Sequence, residues 1–286
     1  MKQSILEKVC IYLLGKGYII KSLSRTCFDI LARKDTKILL IKILEDANAI
    51  SEEYSYEMKK ISSYINASPI IISEKAGNKL QDNVVYSRFN IHTLNLGTFK
   101  RCVENKLPFV RRDHAGLIAH IKGDVLRRKI EDEDISLGLL SRKLGVSKKM
   151  IQKYESGANI TISKAFKLYD IFGHSVFDKV DVFSVSNLRE HDSGSDVTKK
   201  YSDLGFEAVK TKKVPFDVIA KKGNEIILTE VGDKANPQIK SLSKLLDADN
   251  LVIFKKNKPK GLPSMTKKEF LDFEKANELI KFLKEY

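Results

Sequence analysis

The order of apolar and polar positions changes character twice along the chain. Ser4–Leu14 carries apolar residues at helical spacing, and the run after Gly17 reads as a short strand. FDILARK and ILLIKIL follow, joined at Asp35-Thr36, in the pattern of a β-hairpin. A helix over Glu52–Ile65, a buried strand SPIIIS and a helix near Leu94–Asn105 complete this first regime. From Gly116 to Val180 the spacing turns helical. Leu117, Ile118, Ile121, Val125 and Leu126 predict one helix, ended by EDED at Glu131–Asp134. Leu137–Leu144, Lys148–Ser156, Ser163–Phe172 and Val176–Val180 predict four more.

Beyond Asp196 the first regime returns, as a copy. GYIIKSLSRTCFDILARKDTKILLIKILEDAN (Gly17–Asn48) lies without a gap on GFEAVKTKKVPFDVIAKKGNEIILTEVGDKAN (Gly205–Asn236), 188 positions on. Gly17 meets Gly205, Phe28-Asp29 meets Phe216-Asp217, and Ala47-Asn48 meets Ala235-Asn236. The second copy predicts a helix over Asp196–Leu204 and a hairpin FDVIAKK/EIILTEV joined at Gly223-Asn224. It continues with a helix Pro237–Leu246, a strand NLVIFK and a helix over Lys267–Lys284. Two copies fall short of the roughly three that a solenoid needs. The expectation is two related α/β domains, residues 1–110 and 187–286, each in the order α-β-β-β-α-β, flanking an all-α five-helix domain at 116–180. LPFVRRDHAG (Leu107–Gly116) and SVSNLREHDSGSD (Ser184–Asp196) read as the connections.

The central segment ISLGLLSRKLGVSKKMIQKYESG (Ile135–Gly157) meets the demands of two helices crossing steeply over a short turn. Ser136 and Ser147 suit the N-caps, and Gly145 suits a left-handed residue between the helices. Ser141 is small where the backbones approach, and Leu140, Leu144, Val146 and Ile151 are the apolar anchors. With the anchors inward, Lys148, Lys149, Gln152 and Lys153 share the outer side of the second helix. Through these residues and the YESG ending the segment resembles the helix-turn-helix of the lambda repressor and Cro class. The resemblance covers about sixty residues and implies that the second helix enters the major groove. Ser147, Lys148, Lys149, Gln152, Lys153, Arg142 and Lys143 are the implied DNA contacts, with Gln152 the best candidate for reading a base. The class often carries a Gln near the start of the first helix of the motif; Leu137-Gly138 stands there instead, which puts that phosphate contact in doubt.

The duplicated pattern resembles the restriction-endonuclease-like fold, including archaeal Holliday-junction resolvases. That family uses an Asp, then Glu/Asp-x-Lys one strand later, to hold Mg²⁺ and activate water. The first copy offers Asp29 and then Lys42-Ile43-Leu44, lacking the second carboxylate and the lysine. The second offers Asp217 and Glu230-Val231-Gly232, with glycine for lysine and Lys234 a turn away. Asp29 and Asp217 are expected as polar residues on an exposed hairpin face. The resemblance offers Glu7 as a candidate for the acid some resolvases carry on the first helix, but a solvated helix face is the expectation. The expectation is degenerate nuclease-like scaffolds, with no enzyme activity, no metal and no cofactor. The whole arrangement resembles a family of archaeal transcriptional regulators.

Composition sharpens this picture only in part. A net charge of +14 over 286 residues favours polyanionic partners without choosing among them. Arg111 and Arg112 are candidate phosphate contacts, with solvated charge as the bland alternative. Five scattered histidines give no metal-ligand spacing, and Cys10, Cys27 and Cys102 give no CxxC, which favours a reducing, cytoplasmic setting. No apolar run reaches the roughly 18 residues of a membrane span. The expected partners are double-stranded DNA and a second copy of the chain, with the flanking α/β domains expected as the dimerisation modules, pairing with each other inside one chain or across a two-fold axis. Two alternatives stay open: a metal-dependent, structure-directed nuclease using Asp217 and Glu230, and a DNA-organising protein without sequence preference.

Overall fold

The computed structural model describes residues 2–114, 116–185, 194–233 and 236–286. The chain opens with α1 (Lys2–Gly15), β1 (Ile19–Ser22), β2 (Ile30–Lys34), β3 (Lys37–Ile43), α2 (Glu52–Tyr64) and β4 (Ala67–Ile72). Four short strands follow: β5 (Lys75–Ala76), β6 (Asn78–Lys79), β7 (Val84–Arg88) and β8 (Ile91–Leu94). Then come α3 (Leu96–Val103), β9 (Val110–Asp113), β10 (Gly116–His120), α4 (Gly123–Asp132), α5 (Leu137–Leu144), α6 (Lys148–Glu155), β11 (Asn159–Thr161) and α7 (Ile162–Phe172). The second copy runs α8 (Asp196–Asp203), β12 (Glu207–Lys210), β13 (Val218–Lys222), β14 (Glu225–Val231), α9 (Ile239–Leu246), β15 (Asp249–Phe254) and β16 (Ser264–Thr266). It closes with α10 (Lys267–Asp272) and α11 (Ala276–Lys284).

These elements form two compact units. One takes Met1–Glu45, Ala49–Ile71 and Phe183–Tyr286; the other takes Asp46–Asn48 and Ile72–Val182. The first unit therefore contains the duplicated cores of both copies. Their strand orders agree, β1-β2-β3-β4 against β12-β13-β14-β15. Their registers agree residue for residue: Ile19 pairs with Arg33 as Glu207 pairs with Lys221, and Ile30 with Ile41 as Val218 with Thr229. Hairpin register follows from the turn and the inward apolar set, and both are shared by the copies.

The two copies pack against each other by reciprocal contacts. Strand β1 of the first meets α9 of the second, and β13 of the second meets α2 of the first. Arg33 donates to the Leu245 carbonyl at 3.0 Å and pairs with Asp247; Lys221, its counterpart 188 positions on, donates to Asn66 at 3.4 Å. Asn66 and Asp247 both lie just beyond their helices with a left-handed φ of 51°. A backbone bond from Cys27 N–H to the Lys213 carbonyl, 2.8 Å, joins the loops before β2 and β13. The pairing of duplicated sheets thus takes place inside one chain.

Several expectations need correction here. Asp29 is buried, at 4% exposure, rather than on an open hairpin face. The closing helix of the second copy is two helices, α10 and α11, because Phe273 leaves the helical conformation at φ −61°, ψ 130°. The central region is not all-α. Gly116–His120 is strand β10, paired antiparallel with β9 and β11. A short apolar run cannot be assigned to helix or strand by periodicity alone, and here the flanking strands decide. Helix α4 starts only at Gly123, and Val176–Val180 yields a single 3-10 turn at His174–Val176. Four α-helices and that turn replace the expected five helices among the described residues. The segment Leu107–Gly116, read as a connection, contains β9, which also runs parallel to β7. Most of the second connection lies outside the described residues, as does Lys234.

The core of the second unit explains why α4 to α7 assemble as they do. Leu126, Leu140, Leu144, Ile151 and Leu168 have no exposed surface and form one cluster with Ile121, Tyr154 and Phe172. Each such side chain contributes about 1.5–3 kcal/mol relative to exposure. Helix α4 comes so close to the end of α6 that a Cβ on Gly123 would stand 2.2 Å from the Glu155 carbonyl oxygen. Only glycine fits there.

Candidate nucleic-acid interface

Helix α5 begins at Ser136, whose hydroxyl accepts from Leu139 N–H at 3.2 Å. It ends at Gly145, which takes the left-handed conformation at φ 65°, ψ 48°. Val146 N–H returns to the Ser141 carbonyl at 3.0 Å, closing the tight exit. Lys164 from α7 donates to the Gly145 carbonyl at 3.2 Å. Ser147 then caps α6, accepting from Met150 N–H at 3.2 Å. Each cap satisfies backbone N–H groups that the helix cannot satisfy itself, for about 1 kcal/mol. Ser141 is small where the helices cross, and its hydroxyl turns back to the Gly138 carbonyl at 3.0 Å.

Inward, α6 buries Ile151 and Tyr154, and burial raises the Tyr154 phenol above its ordinary pKa. Outward, it presents Lys148, Lys149, Gln152 and Lys153, all exposed beside exposed Ser147, Arg142 and Lys143. All seven sequence candidates therefore lie on the solvent side of α5 and α6. One detail escaped the sequence. A Cβ on Gly138 would sit 3.4 Å from Lys148 Cε and 3.7 Å from its Nζ. The Lys148 ammonium thus lies over the first turn of α5, where the helix dipole is positive.

The positions matched to the nuclease motif differ between the copies. In the first, Asp29 Oδ2 accepts from Ile43 N–H at 2.7 Å, and Oδ1 accepts from Lys2 at 2.9 Å and Lys42 at 3.4 Å. Lys42 is itself buried and donates to the Thr26 carbonyl at 2.8 Å. Burial lowers its pKa, Lys2 adds to the lowering, and Asp29 opposes it. An ammonium therefore stands where the motif would place its second carboxylate. In the second copy Asp217 Oδ2 accepts from Val231 N–H at 2.7 Å, the same bond one repeat on. Glu230 accepts from Asn236 N–H at 2.9 and 2.8 Å through its two oxygens. Burial raises its pKa, the Asn236 bond lowers it, and Asp217 raises it. Glu7 is exposed and bonded to Gln3, on no site. Among the described residues no three His, Cys, Asp or Glu side chains converge as metal ligands. Cys10, Cys27 and Cys102 form no disulfide, and no helix among the described residues is long and apolar enough to cross a membrane.

Comparison with known proteins places both modules. Residues 2–108 match the model of a PD-(D/E)XK superfamily domain, and residues 126–176 match a helix-turn-helix. The chain is thus a helix-turn-helix protein carrying an N-terminal α/β domain of the PD-(D/E)XK superfamily. A curated protein of Methanocaldococcus jannaschii, named "Putative HTH-type transcriptional regulatory protein", is 34% identical over 307 residues, covering 99% of this chain and 96% of that protein. A protein of the same description from Archaeoglobus fulgidus is 29% identical, covering 100% of this chain and 98% of its own length. Another, from Methanosarcina acetivorans, is 30% identical over 90% of this chain and 88% of its own. The chain belongs to this family of archaeal HTH-type transcriptional regulatory proteins. No solved structure matches it.

Proposed function

We propose that the protein binds double-stranded DNA sequence-specifically as a transcription regulator, in the cytoplasm with the genome, by laying α6 in the major groove. The observation that carries this reading is the first turn of α6, capped by Ser147 and anchored by Ile151, with every outward side chain cationic or amide. Gln152 reaches base edges and suits adenine N6/N7. Lys149 and Lys153 flank it toward the groove walls, and Arg142 and Lys143 meet the backbone. Lys148 is a phosphate contact rather than a base reader. Its ammonium and the N-terminus of α5 face a common space that a phosphate oxygen would fill. Gly138, in place of a longer side chain, gives the Lys148 side chain room over that turn. Site selection followed by gel-shift titration tests this. Gln152→Ala is expected to cost roughly 1–3 kcal/mol at the selected site and to relax specificity at one position. Lys148→Ala is expected to weaken all duplexes alike and reduce the salt slope by about one unit. Unchanged affinity in both variants sinks the reading.

The α/β copies act in this proposal as scaffolds without nuclease activity. Lys42 fills the carboxylate position of the first copy, and Gly232 offers no lysine in the second. The shared strand order supports a restriction-endonuclease-like fold for the second copy as well as the first. A nuclease is the second reading, and Asp217 with Glu230 favours it. Mg²⁺- or Mn²⁺-dependent cleavage of branched DNA that Asp217→Ala abolishes would establish it.

The regulator acts as a homodimer, matching the two half-sites of an operator about 34–36 Å apart. The duplicated sheets already pair within the chain. Helix α7 carries the surface that fits the second copy. Phe166 and Tyr169 stand 64% and 51% exposed beside an apolar groove floored by Ala119, Ala165 and Phe177. A ring and a groove on one patch are self-complementary across a two-fold axis. Lys167 and Asp170, one turn apart on α7, are exposed; antiparallel packing would set each Lys167 against Asp170 of the partner subunit. Lys167→Asp or Asp170→Lys alone is expected to dissociate the dimer in sedimentation, and the double reversal to restore it. A dimer indifferent to all three rejects this surface.

A further inference from the structure

The second unit holds a basic cleft that no part of the helix-turn-helix explains. It encloses about 450 Å³ and is lined by Lys79, Gln81, Tyr86, Arg88 and Arg112 together with the β5–β6 hairpin. Its charged lining residues are all cations. We propose that this cleft binds a phosphate ester, the phosphate held by Arg88, Arg112 and Lys79 and the attached base or sugar lying against Tyr86.

The fold assembles these residues from three separate stretches. Strands β7 and β9 run parallel, with Val84 beside Val110 and Val85 beside Arg111. The same register carries Arg112 alongside Tyr86, and the two-residue alternation of strands puts Tyr86, Arg88 and Arg112 on one face. Arg111 falls on the other face and reaches Asn159 at 3.4 Å. The two adjacent arginines, equivalent in the sequence, are thereby given different roles. The third stretch, the β5–β6 hairpin, turns at Gly77, whose φ is 74°. Asp46 fixes that turn by accepting from Gly77 N–H at 3.2 and 3.1 Å. Leu80, 3% exposed, anchors the strand end that carries Lys79.

The donors are positioned and still have capacity. Arg88 Nε donates to Asn48 at 2.9 Å and Nη1 to the Ser87 carbonyl at 2.8 Å, which fixes the guanidinium plane and leaves Nη2 for a ligand. The Tyr86 hydroxyl accepts from Gln81 N–H at 3.2 Å, so its own proton remains to donate. A planar guanidinium fork is the group best matched to phosphate oxygens. Lys79, Arg88 and Arg112 repel one another across the cleft; Asp46, at the hairpin turn, acts on Arg88 and offsets part of that repulsion, and an anion would offset more. A cleft of this size accommodates a nucleotide or one phosphate of a duplex backbone. The chemistry recognised is the same for both sources.

Calorimetry on the full chain with AMP, adenosine and inorganic phosphate, paired with gel-shift salt titrations on a duplex, separates them. For a free nucleotide, AMP binds at least about ten-fold more tightly than adenosine, and Arg112→Gln and Lys79→Gln each weaken AMP about ten-fold. For the DNA backbone, AMP binds no better than adenosine, but each variant lowers the duplex salt slope by about one unit. Both substitutions replace exposed side chains on different elements, and an unchanged melting temperature confirms that each variant is folded. Either pattern supports the cleft. It is overturned if both variants match the wild type with AMP and with duplex, or if wild type binds neither. The nucleotide arm needs no DNA, so it judges the cleft even if the helix-turn-helix reading fails. Conversely, Gln152→Ala tests that reading with the cleft intact.

Discussion

At equivalent positions of the same hairpin, the first α/β copy buries Lys42 against Asp29 and the second keeps Glu230 beside the site of Asp217. Both aspartates hold one identical bond, to the backbone N–H of Ile43 or Val231 at 2.7 Å. What differs is the neighbour. The first copy answers its buried carboxylate with a built-in cation, while the second leaves two carboxylates in each other's field. The shared backbone bond shows what duplication preserved. The exchanged neighbour shows how one sheet can carry opposite charge at an equivalent position while keeping its strand order and register.

The comparison breaks most visibly at Lys42. Lys42→Met leaves buried Asp29 with the Ile43 N–H bond and, as its remaining cation, the partly exposed Lys2, and should destabilise the chain by about 3–5 kcal/mol in urea unfolding. Glu230→Gln, at the equivalent place, should change stability by under about 1 kcal/mol, since Glu230 is only half-buried. The double change Asp29→Asn with Lys42→Met should recover most of the loss, because no charge is then left buried. Equal losses at Lys42 and Glu230 would erase the proposed difference between the copies.

A smaller asymmetry concerns the contacts between the copies. Arg33 makes a carbonyl bond and an ion pair with the second copy, whereas Lys221 makes one long bond with Asn66. Arg33→Ala is expected to cost about 1 kcal/mol and Lys221→Ala under about 0.5 kcal/mol. The reverse order in thermal unfolding would show that the reciprocal contacts are not the ones holding the copies together.

The smallest effect is a pH dependence confined to the second copy. The folded chain holds the Glu230 proton more tightly than the unfolded chain, chiefly through burial. That contribution is full at acid pH and is lost as pH rises from the ordinary glutamate range through the folded value. Glu230→Gln should therefore flatten the stability profile in that window and be slightly more stable than wild type above it. Parallel profiles for the two proteins would remove Glu230 as the titrating group.

The helix-turn-helix was legible in the sequence because its requirements are local. Ser136 and Ser147 cap within three residues, Gly145 supplies a left-handed turn, and Leu140, Leu144 and Ile151 repeat at helical spacing. The strand at Gly116–His120 was not legible, because five residues cannot express a period and its partners come from Val110–Asp113 and Asn159–Thr161. For the same reason Asp29 looked exposed: its burial depends on Lys2, Lys42 and Ile43, which approach only after the hairpin and first helix close.

Taken alone, the sequence determined the duplication, the hairpins and the cationic side of α6, since each follows from spacing along one stretch of backbone. It also established that Lys42 and Gly232 depart from the nuclease motif. Only the tertiary structure decided which groups face Asp29 and Asp217 and which surfaces remain open. Lys42 became a buried counter-ion because folding brought it to Asp29. The duplicated sheets consumed each other's helices, α9 on β1 and α2 on β13. Arg112 parted from Arg111 because a strand alternates its faces, and it gathered with Lys79 and Arg88 because β7, β9 and a pinned hairpin converge. Charge and burial depend on distances between remote residues, and those distances exist only in the folded chain.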